Sequence, residues 1–286
     1  MTDSNAETLG SGIEDLGKAA KVTMVCRRYS LYSISSVLAL LVLWCLLTAS
    51  WPGRGVLVDS LKLPSPLMVV NAAINLKWNL LSYSTVTFCR VMAGLVLGGI
   101  LGVFTGLIMT RYQTISAILD PLVEALRPCP PVALIPFVIL WGGLGMRGQV
   151  GLISLSTFMV MLVSTTVSVN GVDKRYVWAA RSLGADIFSV YTTIIWPSIV
   201  PHLLSGLRVA AGTAFGVGVA SEFLGAQGGL GFMVRNARIT LSTESVLLGI
   251  LLIGLESWLL DRGIRALGDR STRWQDRPFD YLTGNH

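Results

Sequence analysis

The segment "AARSLGADIFSVYTTIIWP", residues 179–197, is partly polar and stands between long apolar runs. Asp173, shortly before it, is a candidate helix N-cap, and the alanine pair at its start favours a helix. Gly184 then ends that helix or lets a partner approach closely. Pro197 fits the first turn of a following helix. The pattern predicts a short amphipathic helix, a glycine turn and a return to the apolar phase.

The composition around this stretch is that of a membrane protein. The 286 residues are 52% hydrophobic and only 13% charged, against about 25% charged in soluble domains. Mean hydropathy is +0.66, and the apolar residues form blocks rather than the short periods of half-buried elements. The net charge of +6 does not indicate nucleic-acid binding, because the basic residues lie between apolar blocks without a basic helix or interleaved aromatic residues.

Six segments approach the length of about 20 apolar residues that a membrane-spanning helix needs. They are residues 31–50, 84–109, 130–146, 150–170, 198–222 and 244–262. The third contains prolines, so we expect it to be kinked or to span only partly. The first follows no signal-peptide pattern, because no small-residue cleavage site comes after it. The predicted fold is an all-α polytopic membrane protein.

The basic residues predict the orientation of these spans, because cytoplasmic loops retain Lys and Arg. With the N-terminus inside, the inner segments hold fourteen of them, Arg111 and Arg127 included, and the outer segments hold six. Both termini are therefore predicted to be cytoplasmic. The expected division is an N-terminal tail over 1–30, a transmembrane domain over 31–267 with a cytoplasmic loop at 171–197, and a C-terminal tail over 268–286.

The second span carries a stripe of four glycines at intervals of four residues. They are Gly94, Gly98, Gly102 and Gly106. Such a stripe gives a smooth helix face that another backbone can approach closely. It predicts helix packing, either within one chain or across a subunit interface.

Three charged residues within predicted spans are singled out as candidate functional residues, because inserting a charge at a span centre costs about 2.5–3.5 kcal/mol. Arg90 is expected either to extend its head to the membrane interface or to line a pathway. Arg208 is expected to contact a carbonyl or an acid, or else the solute. Glu222 is expected to pair with an arginine or to border the outer mouth. Arg208 and Glu222 are about 21 Å apart along one helix, so they cannot pair there.

No catalytic, metal or nucleotide site is predicted. The cysteines lack CxxC spacing, and His202 has no companion for a metal site or a catalytic triad. The segment "GIEDLGK", residues 12–18, matches only part of a phosphate-binding loop, because Ala19 replaces the required Ser or Thr. "GAQGGLG", residues 225–231, lacks a GK[ST] ending and is read as an outer docking loop or a flexible turn.

Residues 179–197 resemble the cytoplasmic "EAA" loop of ABC-importer permeases, with the pattern Glu-Ala-Ala, three residues, Gly, nine residues, Ile, one residue, Leu-Pro. Two tryptophans depart from it, Trp178 at the Glu position and Trp196 at the Leu position. The matching residues are Ala179, Ala180, Gly184, Ile194 and Pro197.

Further segments resemble the permeases of the taurine, aliphatic-sulfonate and nitrate class. They are "RPCPPVALIPFVILWGGLG" at 127–145, "GLRVAAG" at 206–212 and "ASEFLGAQGGLGFMV" at 220–234. The resemblance implies a type I ABC-importer transmembrane fold in a homodimer located in the bacterial inner membrane. It also implies two cytoplasmic ATPase subunits, which bind ATP and Mg²⁺ and grip the loop, and an extracytoplasmic solute-binding protein. The chain itself is then not an enzyme and binds no cofactor.

The solute remains open at this point. Taurine or another organic sulfonate leads, followed by nitrate, bicarbonate, an aromatic carboxylate or a heterocyclic precursor. Two other classes of protein fit less well. An intramembrane enzyme would need a G-x-S-x-G or H-E-x-x-H motif, and a secondary transporter would need coupling acids in mid-span and repeated halves. The sequence shows none of these.

Overall fold

The computed structural model describes residues 32, 35–36, 38–48, 50–51, 55–56, 62–143 and 145–272. The chain divides into two compact units, residues 1–70 and 71–286. The first unit contains helix α1 (Leu38–Thr48) and two short antiparallel strands, β1 (Ser50–Trp51) and β2 (Gly55–Val56). The indole N–H of Trp44 on α1 donates to the Pro64 carbonyl at 3.1 Å. The predicted N-terminal tail lies outside the described residues.

The rest of the described chain is helical. In order it contains α2 (Pro66–Arg111, which begins in the first unit), α3 (Gln113–Leu126), a 3-10 turn (Pro131–Leu134), α4 (Ile135–Gly142), α5 (Met146–Asn170), α6 (Lys174–Ser182), α7 (Ile187–Val190), a π-turn (Tyr191–Ile195), α8 (Trp196–Gly225), α9 (Leu230–Ile239) and α10 (Thr243–Ser271). The predicted boundary of the C-terminal tail at 268 falls inside α10.

Four helical runs in the described residues are long and apolar enough to cross a membrane, and a bent pair makes a fifth. The four are α2, α5, the continuous run Ile187–Gly225 and α10. The fifth joins α3 to the helical segment 131–142 across a bend of 87°. A bend at prolines was expected for the third span, but it lies at the start of the predicted segment 130–146, which omits α3. The break follows from Pro128, Pro130 and Pro131, which lack backbone N–H groups.

Helix α2 starts well before the predicted span at 84. Its first turns are mostly apolar but are interrupted by Asn71, Asn75 and Lys77, and at Lys77 the backbone leaves helical geometry (φ 39°, ψ −118°). A helix does not need apolar residues to continue, so hydropathy alone places its start too late. The kink divides α2 into a short N-terminal arm and a long spanning helix.

Contacts along the glycine stripe show that α2 and α5 run parallel. Gly94 lies against Ile153, and Gly106, twelve residues later, lies against Thr165. The chain between the helices must therefore return from the end of α2 to the start of α5. Because α3 and α4 are the helices in that connection, they form one broken span rather than a loop that turns back.

Contacts between helices also give the directions of α8 and α10. Helix α8 runs antiparallel to α5, since Gly206 lies against Ser164 and Gly218 against Ile153. Helix α10 runs antiparallel to α8, since Arg208 contacts Asp261 and Gly268 lies near Leu204. The last residues of α2, α5 and α10 consequently share one end of the bundle with α6 and α7. We call it the knob end and the other the Glu222 end.

One residue of the predicted inner loops is misplaced by sequence reasoning. Arg127 follows the last turn of α3 and lines a groove together with Ser156 and Val163 of α5. That level is near the middle of α5, so Arg127 lies at mid-height of the bundle, exposed in a groove, rather than in a cytoplasmic loop. The charged residues of α3, such as Asp120 and Glu124, make this segment look like a loop. Without Arg127 the basic residues still divide thirteen to six.

The core lies where α2, α5 and α8 meet. Its fully buried side chains include Val91, Leu152, Ile153 and Ile199. The glycine stripe brings the two parallel backbones together, because a Cβ on Gly102 would lie only 2.7 Å from the Phe158 carbonyl oxygen. Packing within the chain is thus the contact that the structure gives to this stripe.

Candidate functional site: the knob and the charge pairs of the bundle

Residues Lys174–Val190 form a projection that we call the knob. The Asp173 carboxylate caps α6 by accepting from the Arg175 backbone N–H at 2.9 Å. Gly184 adopts φ +86°, a conformation that residues with a side chain rarely adopt. The Ala185 N–H donates back to the Ala180 carbonyl at 3.0 Å. The glycine therefore ends α6 and turns the chain towards α7.

The capping carboxylate of α7 lies just before the run that enters the membrane. Asp186 accepts from the Ser189 backbone N–H at 3.0 Å. This hydrogen bond lowers the pKa of the Asp186 carboxyl below its ordinary value. The second turn of the knob is therefore held by a charged cap at neutral pH. Pro197 follows in the first turn of α8.

The outer surface of the knob combines charged residues with a cluster of large apolar side chains. Leu183 is 89% exposed, and the aromatic side chains of Phe188, Tyr176 and Trp178 are also largely exposed. Single exposed apolar residues are common, but a cluster of large ones on a short projection is typical of an interaction surface. Sequence reasoning singled out Trp178 and missed the other three.

The two residues of the alanine pair have different surroundings. Ala179 is exposed, whereas Ala180 is half-buried and packs against the core of its own chain. A larger side chain at Ala180 would therefore disturb packing inside the subunit. Ala179 and Gly184 are the small residues that remain open on the knob surface.

At the Glu222 end, three side chains form what we call the buried charge cluster, namely Thr87, Arg90 and Glu222. Arg90 Nη1 contacts Glu222 Oε1 at 2.7 Å, and the Glu222 side chain is 1% exposed. The Thr87 hydroxyl donates to the same carboxylate at 2.9 Å. The expectation that Arg90 extends to the membrane interface is wrong, because its side chain is enclosed between α2 and α8.

The cluster holds the glycine-rich segment 225–231. Arg90 Nη1 donates to the Gly228 carbonyl at 2.7 Å, and the Gly231 N–H donates to Glu222 Oε2 at 2.8 Å. The Leu230 N–H donates to the Thr87 hydroxyl at 2.7 Å. A Cβ on Gly229, which has φ +111°, would collide with the Glu222 carboxylate. The segment is thus a tethered turn, and the flexible alternative does not describe it.

Two further acids of α10 were overlooked in the sequence. The Ser84 hydroxyl donates to Glu256, which is buried near the Glu222 end. Asp261 accepts from Arg208 Nε at 2.7 Å and from Arg265 Nε at 2.8 Å. Arg208 therefore has an acidic partner. Both acids lie in an apolar span. An acidic residue in such a span is the sequence feature that could have identified them.

The described residues contain no group of three His, Cys, Asp or Glu side chains that could hold a metal ion.

Comparisons with known proteins agree with this geometry. Residues 94–273 match the family "Binding-protein-dependent transport system inner membrane component". The taurine transport system permease protein TauC of Escherichia coli (strain K12) is 33% identical, over 85% of this chain and 89% of its own. The putative aliphatic sulfonates transport permease protein SsuC of Bacillus subtilis (strain 168) is 29% identical, over 82% and 87%. The formylaminopyrimidine transport permease protein ThiX of Halalkalibacterium halodurans is 27% identical, over 75% and 86%.

The fold also has a solved counterpart. A chain of the inward-facing MetNI methionine ABC transporter superposes with a TM-score of 0.52 at 18% identity, covering 67% of this chain and 97% of that one. The structural likeness confirms the type I importer fold. The family match and the permease relatives show that the chain is a permease subunit. The chain belongs to the family of binding-protein-dependent transport system inner membrane components, the permease subunits of ABC transporters.

Proposed function

We propose that this permease subunit imports a small anion, with taurine or another organic sulfonate as the leading solute. The support is the similarity to TauC and SsuC, which are named as permeases for taurine and aliphatic sulfonates. The ThiX relative keeps a heterocyclic precursor as a second candidate. Nitrate, bicarbonate and aromatic carboxylates are further alternatives for the same machinery.

The observation that carries the proposal of ATP-driven import is the knob. A permease that is driven by separate ATPases needs a rigid projection through which their motion reaches the spans. The knob supplies one, because both of its short helices are capped by carboxylates and its outer surface presents a cluster of large apolar side chains. Trp178, Ala179 and Gly184 lie on the surface that an ATPase would contact, while Ala180 and Pro197 support it from within.

The proposed partners follow from exposed apolar surfaces of the chain. Helix α3 buries none of its residues in the described chain, and its apolar side chains Ile118 and Leu122 are more than half exposed. Inside a membrane such a face is covered either by lipid or by a second copy of the permease, and the resemblance to ABC-importer permeases favours the second copy. We therefore propose a homodimer with two cytoplasmic ATPase subunits and an extracytoplasmic binding protein. ATP and Mg²⁺ bind to the ATPases, and this chain binds no cofactor.

The proposed orientation places the knob on the cytoplasmic side of the membrane. The knob, Arg111 and the end of α10 share one end of the bundle, and the basic residues favour the cytoplasm for that end. We propose that closure of the ATPases moves the knob and alternately opens the pathway to either side of the membrane. At the opposite end, the buried charge cluster would keep the turn 225–231 fixed near the binding protein.

The coupling proposal is tested by removing the apolar surface of the knob. We expect Leu183→Ser to reduce co-elution with the ATPase by about tenfold or more, because burying a Leu side chain contributes about 1.5–3 kcal/mol. Solute uptake in proteoliposomes should fall with it. Leu183 is preferable to Gly184, where any side chain would strain the backbone.

The matched control is Leu241→Ser, an exposed apolar residue at the Glu222 end. This variant should keep full ATPase association. If Leu183→Ser also retained normal association and uptake, the knob would be only a linker. Binding measurements on the cognate binding protein with taurine, other sulfonates, nitrate and aromatic carboxylates test the solute separately.

A further inference from the structure

The break between α3 and α4 places a basic residue at mid-depth in the bundle. Arg127 lines a groove of about 520 Å³ with Cys129, Ser156, Val163 and Thr213. Met159, in the same lining, is about 16 Å from the knob end of α5 and about 20 Å from its other end at helical rise. A bilayer core is about 30 Å thick, so the groove that Arg127 lines lies at a level close to its centre.

Arg127 has no partner there in the part of the chain that the structure describes. No ion pair or side-chain hydrogen bond involves its guanidinium, in contrast to Arg90 and Arg208, which both contact acids. An unpaired arginine at mid-membrane is costly, and such residues usually face a water-filled cavity or pair with a charge of opposite sign. The groove must therefore offer water, an anion or both.

The surroundings of Arg127 fit a small oxyanion. The groove is mostly apolar, which strengthens electrostatic attraction, and a guanidinium can donate two parallel hydrogen bonds to one oxyanion. Ser156 and Thr213 add hydroxyl groups to the lining. No carboxylate of the described chain lines the groove to compete for the charge.

We propose that Arg127 is an anion-contact residue of the translocation pathway and determines its selectivity for a small oxyanion such as a sulfonate. The inference rests on the proposed import function and adds a residue and a location to it. The break in the span exposes the arginine where the groove opens, so the helix interruption itself has a role in transport.

Cys129 lies in the same groove and provides a local electrostatic probe that does not depend on the solute. The complex with its ATPase would be purified with Cys26, Cys45 and Cys89 replaced by serine. Its reaction rates with anionic 2-sulfonatoethyl and cationic 2-(trimethylammonium)ethyl methanethiosulfonate would then be compared. We expect Arg127→Gln to lower the anion-to-cation rate ratio about tenfold, because it removes a unit charge from a poorly screened groove. Arg127→Lys should retain most of the ratio.

The matched control is Arg270→Gln, an exposed arginine in the last turn of α10, which should leave the ratio unchanged. In proteoliposomes, taurine uptake should fall about tenfold or more in Arg127→Gln, because a hydrogen bond to a charged group contributes about 1.5–3 kcal/mol, while the subunits should still assemble.

An unchanged labelling ratio in Arg127→Gln, or a Cys129 that stays unreactive in every nucleotide state, would overturn the inference. So would full taurine uptake by that variant. If the unmodified complex did not transport taurine, the proposed solute would fail, while the labelling ratio would still decide the role of Arg127. Loss of the dimer in Arg127→Gln with an unchanged ratio would instead assign the arginine to a subunit contact.

Discussion

Helix α8 carries one member of each of two arginine–carboxylate pairs, and the two pairs differ in burial. Glu222 is 1% exposed and its partner Arg90 10%, whereas Arg208 and Asp261 are 37% and 33% exposed. The contact distances are the same, 2.7 Å in both. Distance therefore does not distinguish them, and the surroundings decide how much each pair contributes to stability.

The difference also separates their roles. The buried pair has several further partners, namely Thr87 and the backbone of Gly228 and Gly231. It fixes a turn against two spans. The exposed pair belongs to a small surface network with Arg265 near the knob end, where water and salt can replace each contact. The first pair is suited to a fixed structure, and the second to a region that moves during transport.

The largest effect is expected from breaking the buried charge cluster. Glu222→Gln would leave Arg90 charged and without its acid, and removing one partner of a buried pair costs about 3–5 kcal/mol. We expect a large fall in the yield of folded protein and in the midpoint of thermal unfolding in detergent. The double variant Arg90→Met with Glu222→Gln should recover part of this loss, because no buried charge remains unpaired. Equal stability of Glu222→Gln and the unmodified protein would contradict the assignment.

An intermediate effect is expected from separating α2 from α5, because α2 supplies Thr87 and Arg90 to the cluster. Gly102→Leu would place a side chain against the backbone of Phe158, and overpacking of this kind costs about 1–3 kcal/mol. The matched control is Gly99→Leu, since a Cβ at that position of the same helix meets no atom within 4 Å. Thermal unfolding of both variants checks the difference, and similar losses in the two would show that the stripe does not hold the helices together.

The sequence predicted some of these features and missed others for physical reasons. The glycine stripe, the cap at Asp173 and the turn at Gly184 depend on local spacing, which a sequence displays directly. The partner of Arg208 lies 53 residues away, and only the packing of α8 against α10 brings Asp261 to it. Arg127 was assigned to a loop because the polar residues of α3 hide a broken span, whose depth follows from the parallel direction of α2 and α5.

The smallest effect is expected at the exposed pair. Asp261→Asn removes the acid from Arg208 and Arg265, but all three groups can be hydrated, and exposed ion pairs contribute little. We expect the unfolding midpoint to fall by no more than about 2 °C. Asp261→Asn thus loses the same type of contact as Glu222→Gln, with a much smaller expected loss of stability. Measuring both at low and high salt adds a second criterion, since screening should reduce only the effect of the exposed pair. The unfolding midpoint could instead fall as far in Asp261→Asn as in Glu222→Gln, without a dependence on salt. That result would mean that water is excluded from the knob end as completely as from the Glu222 end.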